Sequence, residues 1–190
     1  MKRAMLSLAA RVVLLILIRT ATATPALSQQ PLPELQQRAG LFGALPLSSF
    51  SKSHSWGAGL QYQIARPFDT KGNLFRRISM LGDFSLSYFA GRPAAADGYD
   101  FAFFDYWRAD LGLGLQHQPA GNFRYGLLAG PSFTRYSDNN RIGWQLQLQT
   151  QLNLSQQWLV GPAIQIGKAA QTEALWSLRV GCWYQLSSKK

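Results

Sequence analysis

The chain has 190 residues, a length that suits one domain, and 47% of them are apolar, which excludes an intrinsically disordered tail. Its formal net charge is +10, but the basic residues are dispersed, so a nucleic-acid-binding surface is not expected. Cys182 is the only cysteine, which rules out an internal disulfide. Two isolated histidines and one cysteine also give no metal-binding pattern, and no cofactor is expected.

Residues 1–28 have the features of a secretory signal peptide. A basic start precedes the apolar run 12–18, and small residues suited to cleavage follow it. That run has seven residues and ends at Arg19, whereas a membrane-spanning helix needs about 20. Four of the 19 basic residues and none of the 9 acidic ones lie in this segment, so its removal leaves a net charge of +6. We expect a polar leader at 29–38 and one β domain at 39–190.

Eight later segments alternate apolar and polar residues with a period of two, which is typical of β-strands. They are predicted at 39–47, 55–66, 77–90, 104–117, 123–135, 142–154, 158–168 and 173–186. The clearest alternation is "WQLQLQTQLNL" at 144–154, where every second residue is Gln or Asn. Seven of the eight segments are about twice as long as the average strand of a soluble protein.

Alternation fits two environments, because apolar faces point inward in a soluble barrel and outward to lipid in an outer-membrane barrel. Strand length favours the membrane, since 11 tilted residues rise about 25 Å, the height of a lipid-facing band. Aromatic placement agrees, because strand-end tryptophans on the apolar face fit interfacial girdles; these are Trp56, Trp107, Trp144 and Trp158. Glycine on the polar face would leave space for Gln and Arg side chains in a narrow lumen.

The chain resembles the small eight-stranded outer-membrane β-barrels of Gram-negative bacteria. Arg179, Gly181, Tyr184 and Leu186 are similar to the last-strand signal read by the barrel-assembly machinery, although "SSKK" stands where a terminal aromatic residue is usual. The resemblance implies an all-β fold, an eight-stranded antiparallel up-and-down transmembrane barrel. It also implies a monomer in the outer membrane, with both termini in the periplasm. Expected partners are outer-membrane lipids and, during insertion, the assembly machinery.

Six charged residues are predicted to face the lumen. They are Arg77, Asp83, Arg108, Asp110, Arg124 and Arg179. Because buried charges need partners, we expect an ion-pair network that fills and rigidifies the lumen. The alternative is a gated or anion-preferring path, since Arg outnumbers Asp by two, but a filled eight-stranded barrel leaves no open channel.

The longest outer connection, 91–103, joins acidic and aromatic residues. Its candidate contact patch for a protein, lipopolysaccharide or glycan consists of Asp97, Tyr99, Asp100, Phe101 and Phe103. An enzymatic alternative uses His54 with a neighbouring serine and Asp97 or Asp100 to modify lipids, but no orienting spacing supports such a triad. A third reading is a soluble periplasmic barrel that holds an apolar ligand. We predict a non-enzymatic role in envelope structure, adhesion or partner binding, with no catalytic residue.

Overall fold

The computed structural model describes residues 35–68, 77–96, 99–119, 121–169 and 172–186. The predicted signal peptide and most of the predicted leader lie outside these residues. The described elements are β1 (Gln36–Leu47), α1 (Phe50–Ser53), β2 (His54–Pro67), β3 (Ile78–Gly91), β4 (Pro93–Ala96), β5 (Tyr99–Ala102), β6 (Tyr106–His117), β7 (Phe123–Tyr136), β8 (Asn139–Asn153), β9 (Trp158–Ala169) and β10 (Leu175–Leu186).

Eight of these strands form a closed antiparallel barrel in the order β1-β2-β3-β6-β7-β8-β9-β10, and β10 pairs again with β1. The predicted fold class is therefore confirmed. β4 and β5 form a separate hairpin within the connection between β3 and β6. One boundary was wrong: β1 begins at Gln36, three residues before the predicted start. The end of the predicted leader is thus part of the barrel wall.

The strand register sets the tilt and width of the barrel. A row of paired residues that starts at Gln36 and crosses every strand returns to β1 at Pro46, ten residues farther along. With eight strands, this stagger corresponds to a tilt of about 40°. The interior of such a barrel is just wide enough to be filled by side chains. The sizes of the inward residues therefore decide whether the lumen is open.

Side-chain exposure gives the orientation of the wall. In β8, Gln145, Gln147, Gln149 and Gln151 are each 1% exposed, whereas Leu146, Leu148 and Leu152 on the opposite face of the strand are 36%, 49% and 43% exposed. Leucines thus cover the outside and glutamines fill the inside. This confirms the predicted orientation and contradicts the soluble-barrel alternative, in which the leucines would form a core.

Aromatic rings lie at both edges of the apolar outer surface. At one edge, Tyr88 lies 6.2 Å from Trp56 and 4.9 Å from Trp107, measured between ring centroids. At the other edge, the centroids of Trp158 and Tyr184 are 5.1 Å apart. At the tilt given above, the strand from Trp107 to the end of β6 rises about 25 Å, which matches the lipid-facing band of membrane barrels.

The helix α1 lies at one end of the barrel, which we term the outer end because it also carries the β4–β5 hairpin; β1 begins and β10 ends at the opposite, inner end. Phe50 of α1 points into the mouth, with its ring centroid 5.0 Å from that of Phe89 and 5.3 Å from that of Tyr106. Phe42 joins the same buried cluster. Among the described residues, no helix is long and apolar enough to cross a membrane.

Candidate functional site

Asp110 is the centre of the polar interior. Its fully buried carboxylate accepts hydrogen bonds from Arg108 Nε at 2.7 Å, Gln165 Nε2 at 2.9 Å and Arg179 Nη2 at 3.4 Å. Arg108 and Arg179 thus form two ion pairs on one carboxylate. The guanidinium carbon of Arg179 also lies 4.3 Å from the centre of the Phe42 ring, a cation–π contact. The contacts around Asp110 and Arg179 thus link side chains from four strands, β6, β9, β10 and β1.

The second buried carboxylate, Asp83, is held by amides. Its Oδ1 accepts from Gln61 Nε2 at 2.6 Å and from Gln63 Nε2 at 3.0 Å. Trp183 in turn donates its indole N–H to Gln61 Oε1 at 3.0 Å, which fixes that amide. Within the described residues, both ion pairs of the lumen involve Asp110. The predicted ion-pair network is therefore in large part a network of glutamine amides.

Glutamines bridge the full width of the lumen. Gln63 on β2 donates to Gln149 Oε1 at 2.8 Å and accepts from Gln151 Nε2 at 2.8 Å. Both partners are on β8, which is four strands from β2 in either direction around the barrel and therefore directly opposite. These hydrogen bonds join side chains across the diameter of the lumen and narrow the space along its axis. This geometry opposes the gated or anion-preferring path.

Two arginines occupy the inner end of the lumen. Arg38 donates to Gln151 Oε1 at 2.9 Å, to Gln116 Oε1 at 3.3 Å and to Gln36 Oε1. Arg124 donates to the same Gln36 oxygen at 3.0 Å. Arg124 was predicted to face the lumen, whereas Arg38 was assigned to the leader. The sequence did contain a signal for the inward position of Arg38, because Gln36 and Arg38 extend the alternation of β1 toward the N-terminus.

Arg77 is a correction to the predicted set. Its side chain is exposed and donates to the backbone oxygen of Pro119, outside the lumen. Alternation assigns a side chain to the inner face only while the backbone is extended. β3 begins at Ile78, so the pattern does not apply to the residue before it.

Glycine makes space for large inward side chains, as the sequence suggested. A Cβ at Gly167 would lie 2.3 Å from Arg108 Nη2, and one at Gly59 would lie 2.4 Å from Phe42 Cζ. Such distances are far below van der Waals contact, so these two positions exclude any larger residue unless the neighbour moves. The filled lumen thus depends on pairs of a glycine and a large residue on adjacent strands or across the barrel.

His54 has a structural environment at the outer end. It is 3% exposed, and its Nδ1 lies 2.8 Å from Ser53 Oγ, while its Nε2 lies 3.2 Å from the backbone oxygen of Phe104. Its ring packs against Phe50, with centroids 4.4 Å apart. Both ring nitrogens are therefore occupied in positioning loops. Of its suggested acidic partners, Asp97 lies outside the described residues, and for Asp100 only the backbone is described.

A shallow groove lies beside the outer rim. It is lined by Phe104, Asp105, Trp107, Arg135 and Ser137. Phe104 is 61% exposed, although its backbone is anchored by the histidine described above. Among the described residues, no cluster of His, Cys, Asp or Glu could hold a metal ion.

Asp105, which lines this groove, is held in place by hydrogen bonds. Its Oδ1 accepts from the backbone N–H of Gly91 at 3.0 Å, and the Tyr88 hydroxyl bonds the same carboxylate. The Gly91 N–H, followed by the Tyr88 hydroxyl, lowers the pKa of Asp105. The hydrogen bond to the Gly91 N–H ties the segment before β6 to the end of β3.

The predicted contact patch is placed only in part. Asp97 lies outside the described residues. The backbone of Tyr99, Asp100 and Phe101 forms β5 of the hairpin. Phe103 is half-buried, and its N–H donates to Arg92 O at 2.9 Å. The groove at the base of the hairpin was not predicted, since its residues come from the connection after β5, from β6 and from the end of β7.

No protein-family model and no curated protein sequence matches the chain. Solved structures do match. The attachment invasion locus protein Ail of Yersinia pestis, in complex with the heparin analogue sucrose octasulfate, superposes with a TM-score of 0.56 at 10% identity, over 80% of this chain and 97% of Ail. Ail in a phospholipid bilayer nanodisc gives a TM-score of 0.52 at 12% identity, over 80% and 99%. Neisserial surface protein A gives 0.50 at 11% identity, over 80% and 96%.

These likenesses concern the fold, because the identities are low. The membrane environment follows from the barrel itself, whose leucines face outward between two aromatic edges. Closure leaves none of the eight barrel strands at an open sheet edge, as a lipid environment requires. The chain has the fold of the small eight-stranded outer-membrane β-barrels, and its closed wall with an apolar outer surface is suited to insertion in a lipid bilayer.

Proposed function

We propose that this barrel acts through its outer end, by binding a partner outside the cell in an adhesion or recognition role. The observation that carries the proposal is the bridged lumen: Gln63 reaches Gln149 and Gln151 across the barrel, which leaves the outer surface as the place for function. We also infer that the protein is not an enzyme, because both ring nitrogens of His54 serve loop positioning.

The groove at the outer rim is the proposed contact surface. Phe104 presents an exposed ring on a backbone that is already held in place, so binding would need little further ordering. Arg135 and Asp105 flank it with opposite charges, and aromatic and arginine side chains dominate binding energy at interfaces. Aromatic faces beside charged hydrogen-bonding groups suit a glycan. Ail, which has this fold, was determined with a heparin analogue, so a sulfated glycan is a reasonable first probe.

The test uses the full barrel in lipid nanodiscs, applied to an array of glycans that includes heparin, neutral oligosaccharides and purified lipopolysaccharide. We expect binding to at least one of these, weakened about tenfold or more by Phe104→Ala or Arg135→Ala. Gln156→Ala, in the turn at the inner end, is the matched control and should bind as the native protein does. Absence of binding, or equal binding by all three variants, would contradict the proposal.

A further inference from the structure

The inner end of the lumen holds two guanidinium groups on one acceptor. Arg38 is 0% exposed and Arg124 is 7% exposed, and both donate to Gln36 Oε1. Sharing one oxygen brings the two cations close together, and their charges repel each other. This pair was not expected from the sequence, because Arg38 was predicted to lie in the leader.

The hydrogen-bond partners of this pair are neutral. Gln36, Gln116 and Gln151 offer amide oxygens, and neither arginine forms an ion pair among the described residues. The Nε atoms of Arg38 and Arg124 are buried, and within the described residues they have no hydrogen-bond partner. Amide oxygens solvate a cation but do not neutralise it, so the pair has donors and charge left over for an anion.

We propose that Arg38 and Arg124 form a binding site for a small inorganic oxyanion of the phosphate class at the inner end. Guanidinium groups bind such anions with paired, charge-assisted hydrogen bonds. Gln36 Oε1 marks the position where both cations already direct N–H groups, and an oxyanion would take the place of this amide.

The position of Gln36 makes this exchange feasible. It is the first residue of β1 and pairs with Ala65 of β2, whereas the register with β10 begins only at Gln37. Its backbone is therefore paired with a neighbouring strand on one side only. Gln36 and Arg124 are each 7% exposed, so the site opens at the inner mouth, while Arg38 forms its floor. The site lies at the opposite end from the groove and is independent of the proposed function.

The test is a titration of inorganic phosphate into the full barrel in nanodiscs, followed by calorimetry, with sodium chloride at matched ionic strength as the comparison. We expect phosphate to bind, and Arg124→Gln to weaken it about tenfold or more, because a charged hydrogen-bonding partner is lost. Arg77→Gln is the matched control, since Arg77 lies near the same end but is exposed outside the lumen. It should bind phosphate as the native barrel does.

A second variant separates the site from a loss of folding. Gln36→Ala removes the competing amide and keeps both arginines, so it should bind phosphate as well as the native barrel or more tightly. Heat-modifiable migration in detergent gels confirms that each variant is folded. Three results would overturn the proposal: no binding of phosphate, an Arg124→Gln affinity equal to the native one, or an identical response to chloride, which would indicate general screening.

Discussion

At the scale of single residues, the lumen contains two carboxylates whose charges are compensated differently. Asp110 faces two guanidinium groups, whereas Asp83 accepts from two glutamine amides. Removing one partner of a buried ion pair leaves an uncompensated charge, which is far more costly than weakening a hydrogen bond to an amide. The two aspartates should therefore differ sharply in their contribution to stability.

We expect Asp110→Asn to destabilise the barrel by about 3–5 kcal/mol, since Arg108 and Arg179 would lose their shared counter-charge. Asp83→Asn should cost only about 1–2 kcal/mol, because an amide oxygen can still accept from Gln61 or Gln63. Urea-induced unfolding in detergent micelles measures both. Equal losses would show that the ion pairs of Asp110 contribute no special stability.

Glycine positions provide a second residue-scale prediction. A Cβ at Gly59 would meet Phe42 Cζ and the backbone oxygen of Leu86, each at 2.4 Å, whereas one at Gly43 on the outer face has no atom within 4 Å. Gly59→Ala should therefore cost about 1–3 kcal/mol from overpacking, while Gly43→Ala should be neutral or slightly stabilising. Thermal unfolding of the two variants in the same detergent measures this difference. Equal unfolding temperatures would contradict the predicted overpacking at Gly59.

The inward residues show what sequence alone could predict. Period-two alternation predicts an inward position for Asp83, Arg108, Asp110, Arg124 and Arg179, and all five are buried in the structure, since side chains alternate between the two faces of an extended backbone. The alternation gave a wrong inward position for Arg77, which lies just before β3. It missed Arg38, because β1 begins at Gln36, within the segment predicted as a polar leader. The alternation along one strand also does not predict which side chains meet across the barrel. The bridging glutamines and the inward Trp183 became visible only once the register was known.

At the scale of elements, the eight strands were predictable because each one repeats the same alternation over a length that spans the membrane. The outer connections were not, since loops have no period to follow. The connection predicted at 91–103 contains the β4–β5 hairpin, and the groove at its base joins residues far apart in sequence. α1 was likewise not foreseen, although Phe50 inserts into the mouth of the barrel.

The outward face of β6 gives an element-scale prediction. Leu111 lies midway between Trp107 and the inner edge of the strand, so it faces the centre of the lipid layer. Leu111→Arg should destabilise the barrel by about 2–4 kcal/mol, whereas Leu154→Arg, in a turn at the inner end, should cost at most about 1 kcal/mol. Unfolding from lipid vesicles measures both variants. Similar costs at the two positions would contradict the assigned membrane depth.

At the scale of the whole molecule, the barrel is a filled cylinder. Aromatic rings occupy its outer mouth, glutamines cross its middle and two arginines stand at its inner end. A stagger of ten residues over eight strands sets a width that these side chains can fill. The side chains named above thus occupy the lumen at its outer, middle and inner levels.

A filled lumen predicts that the protein does not conduct. We expect no stable single-channel current when the purified barrel is inserted into planar lipid bilayers, even at high salt. Heat-modifiable migration of the same preparation shows that folded protein was tested. Reproducible discrete current steps would contradict this prediction. They would show that the glutamine bridges open during the recording and would support the alternative of a gated path through the lumen.

The pairing of β1 with β10 runs from Gln37 with Leu186 to Leu47 with Trp176, so the first strand needs the last one as its neighbour. Until that seam forms, the opening and closing strands each present an unsatisfied edge, which hydrocarbon does not tolerate. A chain whose β10 is missing or not yet available cannot close the barrel. Closure of the barrel therefore requires β10, and a variant that lacks Leu175–Leu186 should fail to insert into the membrane.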